Sequence, residues 1–174
     1  MLRGINVSGQ KLIKMEELRT MYERMAFDNV KSYIQSGNVI FQTKKTKLAE
    51  LEKKISDKIK DVFSFEVLVT VKEPDELKLV LKNNPFLTKG EKDISKLYVT
   101  FLSREPEQTD IEKISAGNYG LDEFVVVEKN IYLSFGNGYG NTKLTNNFFE
   151  TKLKRNATTR NWKTVNELVK MSDL

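Results

Sequence analysis

The stretch Val30 to Phe41, VKSYIQSGNVIF, decides the fold. Val30–Ile34 and Val39–Phe41 are two short β-prone runs, and between them Gln35, Ser36, Gly37 and Asn38 supply the small polar residues of a tight reversal. The stretch therefore predicts a hairpin. On its N-terminal side Met15, Leu18, Tyr22 and Met25 recur at helical spacing, with Leu12 and Ile13 leading in. On its C-terminal side Leu48, Leu51, Ile55, Ile59 and Val62 form a second apolar helical stripe. Leu2–Val7 at one end and Glu66–Val71 at the other alternate like strands, the latter around Val67, Val69 and Val71. The order βαββαβ favours a ferredoxin-like plait, in which two crossovers bury both helices on one face of an antiparallel sheet.

Pro74 suits the first turn of a short helix carrying Leu77, Val80 and Leu81, which Asn83, Asn84 and Pro85 stop. Residues 73–95 thus form a helix and linker between a first half, 1–72, and a second, 96–174. The second half repeats the pattern: a strand at Leu97–Leu102, a helix around Ile111 and Ile114 ending near Gly117, and strands at Phe124–Val127 and Ile131–Phe135. The short turn at Lys129 and Asn130 suits a hairpin between the last two. Leu144, Phe148 and Leu153 then mark one helix, and Trp162, Val165, Leu168 and Val169 another. The expected class is α+β: two ferredoxin-like halves, the second modified to end in extra C-terminal helices instead of a fourth strand.

With 39% hydrophobic and 30% charged residues, the 174-residue chain can fill an ordinary core. No apolar run approaches the roughly 20 residues of a membrane span. The N-terminus, Met1-Leu2-Arg3-Gly4, lacks the apolar core of a secretion signal, so the expected location is the cytosol. Cysteine and histidine are both absent. That excludes Ser–His–Asp and Cys–His catalysis and thiolate-bound metals, and leaves no side chain that titrates near neutrality unperturbed. No tight acidic cluster offers an oxygen-ligated metal site. The expectation is no metal, no cofactor, no assigned catalytic residue and a balance against an enzyme.

The net charge is +5, and between Asn141 and Lys163 six basic residues (Lys143, Lys152, Lys154, Arg155, Arg160, Lys163) face the single acid Glu150. Such a surplus attracts phosphate or nucleic acid if it shares a face, and otherwise is a solvated helix surface. Four segments can carry chemistry. In Leu2–Val7 a glycine inside a strand-like run marks a bulge or a close approach, and Arg3 offers a planar fork to a carboxylate or phosphate; alone, the pair reads as a surface Arg on an edge bulge. The turn amides of Ser36-Gly37-Asn38 can form an anion-binding nest, although most such turns only reverse the chain. The third strand of an RNA-recognition plait carries alternating aromatics, and here Phe41 stands alone.

The loop Gly136-Asn137-Gly138-Tyr139-Gly140-Asn141-Thr142-Lys143 runs into a helix start but matches neither the Walker pattern nor GxGxxG. By itself the loop reads as an ordinary helix cap at Asn141 or Thr142, with Lys143 exposed. In Ala157-Thr158-Thr159-Arg160-Asn161-Trp162, Asn161 or Thr159 can cap the last helix while Trp162 buries its ring; Arg160 beside a packed Trp permits stacking or a cation–π contact.

Taken together, LRGINV (2–7), YIQSGNVIF (33–41), Thr142–Lys143 and ATTRNWKTV (157–165) resemble the bacterial domain-of-unknown-function 1697 family. The resemblance implies two ferredoxin-like halves and no established reaction, ligand or partner. Relatives carry apolar residues before LRGINV, so a first strand stunted at Met1 is expected, with neighbouring strand edges left bare. Ser8 stands where many relatives have glycine. The resemblance groups Arg3, Asn6, Ser36, Gly37, Asn38, Lys143, Arg160 and Asn161 as one expected ligand-binding set. The expected partner is an anionic, phosphate-bearing ligand such as a nucleotide or RNA, bound without catalysis. Two alternatives stand beside it: an enzyme acting on a phosphorylated metabolite, with Lys143 or Tyr139 handling a proton, and a protein-interaction or structural role. The oligomeric state is open.

Overall fold

The computed structural model describes residues 1–90 and 93–173. Among them the chain forms a mixed α+β fold of seven α-helices and two sheets. It divides into two compact units, one of Met1–Pro74 with the chain from Glu167 on, the other of Asp75–Asn166.

In the first unit α1 (Met15–Arg24) and α2 (Leu48–Phe63) are amphipathic, and a hairpin of β1 (Asp28–Tyr33) and β2 (Asn38–Gln42) lies between them in the chain. The pairing is antiparallel, with Tyr33 opposite Asn38 and Ser32 opposite Val39. Leu18 and Tyr22 from α1 and Leu51, Ile55 and Ile59 from α2 enter one core with Leu2, Ile5, Val67 and Val69. Burying each large aliphatic is worth about 1.5–3 kcal/mol, which is why the 3–4 spacing read from the sequence survives as helix. Ser64 in the left-handed region ends α2, its N–H returning to Lys60 O.

Leu2–Val7 and Glu66–Val71 do not become strands of any length. They meet in a single antiparallel bridge, Leu2 to Val69, with Arg3 N donating to Leu68 O (3.0 Å) and Thr70 N to Met1 O (2.9 Å). The reason is backbone geometry: Gly4, Asn6, Ser8, Gly9 and Lys11 all have positive φ, so the chain curls away directly after Arg3.

The second unit holds α3 (Pro74–Lys82, from Asp75 on), the short α4 (Pro85–Thr88), β3 (Leu97–Leu102), α5 (Gln108–Ser115), β4 (Glu123–Val127), β5 (Asn130–Ser134), α6 (Asn146–Leu153) and β6 (Ala157–Asn161). Its sheet runs β4-β5-β3-β6, antiparallel throughout. Leu102, Ile131, Leu133 and Ala157 pack with Ile114 of α5 and Phe149 and Leu153 of α6. On the alternate positions of β5, Tyr132 donates its hydroxyl to Val80 O of α3 at 3.2 Å.

β6 corrects the sequence reading, which had no strand between the last two helices. ATTRN lacks apolar alternation, but its β-branched threonines suit a pleated surface, and Val99 opposite Arg160 and Thr100 opposite Thr159 fix its register. The cap of α6 is likewise neither Asn141 nor Thr142. Thr145 takes that place, accepting from Phe148 N at 3.2 Å, while Thr142 accepts from Leu144 N. The last helix, α7, spans Trp162–Ser172.

Candidate functional site

Five of the expected ligand-binding residues, Arg3, Asn6, Ser36, Gly37 and Asn38, lie in the first unit, and three, Lys143, Arg160 and Asn161, in the second. In the first unit the polar residues knot the chain to itself. The Asn6 amide donates to Ile13 O (2.9 Å) and Gln35 O (2.8 Å) and accepts from Ile13 N (2.8 Å), so both its protons tie the N-terminal loop to the hairpin turn. Asn38 is fully buried and donates to Ser36 Oγ (2.9 Å) and Tyr33 O (3.3 Å), closing the turn from inside.

Gly37 sits between these two. Its carbonyl accepts from Leu2 N at 2.9 Å and its φ is +75°. A Cβ there would stand 2.7 Å from Leu2 Cβ and 2.8 Å from Ile5 Cδ1, so the N-terminal segment closes on a site that only glycine leaves open. Arg3 is partly buried beside this contact.

In the second unit Asn161 accepts from Thr164 N at 2.8 Å and caps α7, as the sequence suggests. Arg160 is partly buried in β6 and folds back so that Nη1 donates to Thr159 O at 2.9 Å. Burial lowers its pKa to about 10, against which the Tyr139 phenol acts in the raising direction. The guanidinium stays charged at neutral pH. Lys143 is exposed on the loop. Of the other bases in this stretch, Arg155 is spent on structure: it donates to Glu105 O (3.1 Å) and Lys154 O (2.9 Å) and pairs with Glu107 (3.1 Å).

Three elements of this region were not legible in the sequence. Tyr139 stacks on Tyr98 of β3, with centroids 5.2 Å apart and planes 19° from parallel, and meets Phe135 edge-on at 5.7 Å. Tyr139 as a whole residue is 39% exposed. Thr100 and Thr159 hydroxyls meet at 2.6 Å in the interior, and Thr159 donates to Asn146 Oδ1 at 2.7 Å. Thr159 has one proton and gives it to Asn146, so Thr100 must donate to Thr159. The line therefore has a direction and turns the Asn146 carbonyl toward the sheet. Among the described residues no group of three or more metal-ligating side chains occurs, and no helix is long and apolar enough to cross a membrane.

Residues 1–132 match the family model described as a protein of unknown function, DUF1697. The chain belongs to the DUF1697 family. The matched range ends at Tyr132, before the glycine-containing loop and Arg160. No curated protein matches this DUF1697 chain in sequence. Its fold is similar to that of the conserved bacterial protein SP0830 from Streptococcus pneumoniae, with a TM-score of 0.73 over 99% of this chain and 96% of the other. At 23% identity that likeness is one of fold alone.

Proposed function

We propose that this DUF1697 protein is a noncatalytic module that binds an anionic, phosphate-bearing ligand at the loop 136–143 and the adjoining edge strand β6. One observation carries the reading: a guanidinium is folded into the edge of a sheet, close to a loop in which a Cβ on Gly138 or Gly140 would meet nothing within 4 Å. A guanidinium at a partly desolvated position binds an anion more strongly than an exposed lysine does. Lys143 adds charge on the same loop. Asn6, Gly37 and Asn38 hold the first unit together in this reading, and the ligand contacts fall to Lys143 and Arg160, with Asn161 setting the start of α7. We also read both units as variants of the ferredoxin-like plait. The order β4-β5-β3-β6, with α5 and α6 packed into one core, supports this for the second, and the bridge from Leu2 to Val69 flanking the β1–β2 hairpin supports it for the first.

The test is isothermal titration of inorganic phosphate, pyrophosphate and nucleotides into the protein at low salt, repeated with Arg160→Gln. At least one of them is expected to bind and to raise the melting temperature, and Arg160→Gln is expected to lose both effects while its own circular dichroism is unchanged. Absence of binding across the series would sink the reading.

A further inference from the structure

In the loop between β5 and α6, Gly138 has φ +79° and ψ 161°, a conformation essentially restricted to glycine. The fold therefore requires a residue without a side chain at this position, whatever the loop binds. The residue before it is Asn137, and of the chain's asparagines only this one precedes a glycine. Asn137 and Gly138 are both exposed.

An asparagine carboxamide is an electrophile within reach of the next residue's backbone nitrogen. Two things ordinarily slow that attack: the following side chain crowds the nitrogen, and hydrogen bonds hold the carboxamide in place. Neither operates here. Gly138 has no side chain, and among the described residues neither the Asn137 carboxamide nor the Gly138 N–H makes a hydrogen bond; only the two main-chain carbonyls are engaged, that of Asn137 by Asn141 Nδ2 (3.1 Å) and that of Gly138 by Asn141 N (3.3 Å). Other exposed asparagines are restrained on both counts. Asn118 accepts from Gly120 N at 3.0 Å and is followed by Tyr119, and Asn29 donates to Gln42 Oε1 at 2.7 Å and is followed by Val30.

We infer that Asn137 is a site of spontaneous self-modification. Gly138 N gives its proton to solvent base and bonds to Asn137 Cγ; the carboxamide C–N bond breaks, and ammonia leaves with a proton taken from water. The cyclic succinimide then takes up water, which opens it at Cγ to leave aspartate, or at the main-chain carbonyl to leave isoaspartate. Each event consumes one water and releases one ammonia, with no oxidation or reduction. The new carboxylate stands on the loop that carries Lys143. Where that loop holds an anion, as proposed above, its affinity falls as the chain ages; this consequence rests on the anion-binding reading, and the conversion itself does not.

The test stores the whole chain in warm, mildly alkaline buffer and follows every asparagine-containing peptide by mass spectrometry, with isoaspartate scored by enzymatic carboxyl methylation. Asn137 is expected to convert at least about tenfold faster than any other asparagine, to a mixture of aspartate and isoaspartate. Asn137→Gln, whose longer side chain disfavours the ring closure, is expected to remove the isoaspartate signal. Conversion at Asn137 no faster than at Asn29 or Asn118, or an isoaspartate signal that survives Asn137→Gln, overturns the inference. Asn137→Asp fixes the charge of the product and is expected to bind inorganic phosphate roughly 3- to 10-fold more weakly than the parent. Equal phosphate affinity of the two overturns the ageing effect and leaves the conversion standing, whereas a fresh parent that binds no phosphate compound overturns the anion reading and not the modification.

Discussion

Replacing Gly37 with alanine separates two costs that the structure allows to be weighed. The backbone there has φ +75°, and an L-residue in the left-handed region costs about 1–2 kcal/mol. The added methyl would also stand 2.7 Å from Leu2 Cβ and 2.8 Å from Ile5 Cδ1. Ile5 Cδ1 is the end of a flexible side chain and can rotate aside, but Leu2 Cβ is fixed to a backbone whose N–H bonds to Gly37 O. Overpacking of this kind costs about 1–3 kcal/mol, so Gly37→Ala is expected to lose roughly 2–5 kcal/mol in all. Gly4 is the internal control: its φ is +69°, but nothing lies within 4 Å of its would-be Cβ. Gly4→Ala should therefore lose only the backbone part, about 1–2 kcal/mol. Urea unfolding followed by far-UV circular dichroism gives both values, and faster amide exchange at Leu2 in the Gly37 variant would localise the damage. Equal losses for the two variants would refute the claim that the N-terminal segment closes on Gly37.

Asn6→Ala removes three hydrogen bonds and leaves alanine at φ +54°; a loss of about 2–4 kcal/mol in the same urea assay is expected, and less than about 1 kcal/mol would show that the knot is dispensable. For Arg160 the sign follows from its lowered pKa. The cost of keeping the charge in place is fully present below about pH 10 and is relieved as the folded-state group loses its proton above that value, before the unfolded-state group does. The parent protein should thus gain on Arg160→Met by about 1 kcal/mol between pH 8 and pH 11, and a stability difference that stays flat over that range would contradict the burial of this charge.

The helices α1 and α2 and the β1–β2 hairpin were legible because their signal is local: apolar residues at helical spacing, and a turn of small polar residues between β-prone runs. What the sequence hid was set by distant partners. That Gly37 is a turn glycine can be read from its neighbours; that Leu2 and Ile5 press on it cannot, because they lie more than thirty residues away. β6 escaped notice because a strand of Thr, Arg and Asn has no hydrophobic alternation, and only the register against β3 makes it one. The stretch of six bases looks uniform in sequence, yet the fold ties Arg155 to Glu107 and sets Arg160 into the sheet edge. Tyr98 and Asn146 lie in no motif, and the place of Thr159 inside ATTRNWKTV does not reveal that strand register sets it beside Thr100.

The line from Thr100 through Thr159 to Asn146 reaches beyond its own energetics. It runs from β3 through the edge strand β6 to the first residue of α6, so the helix is moored to the sheet by the same polar side chains that leave β6 without a hydrophobic signature.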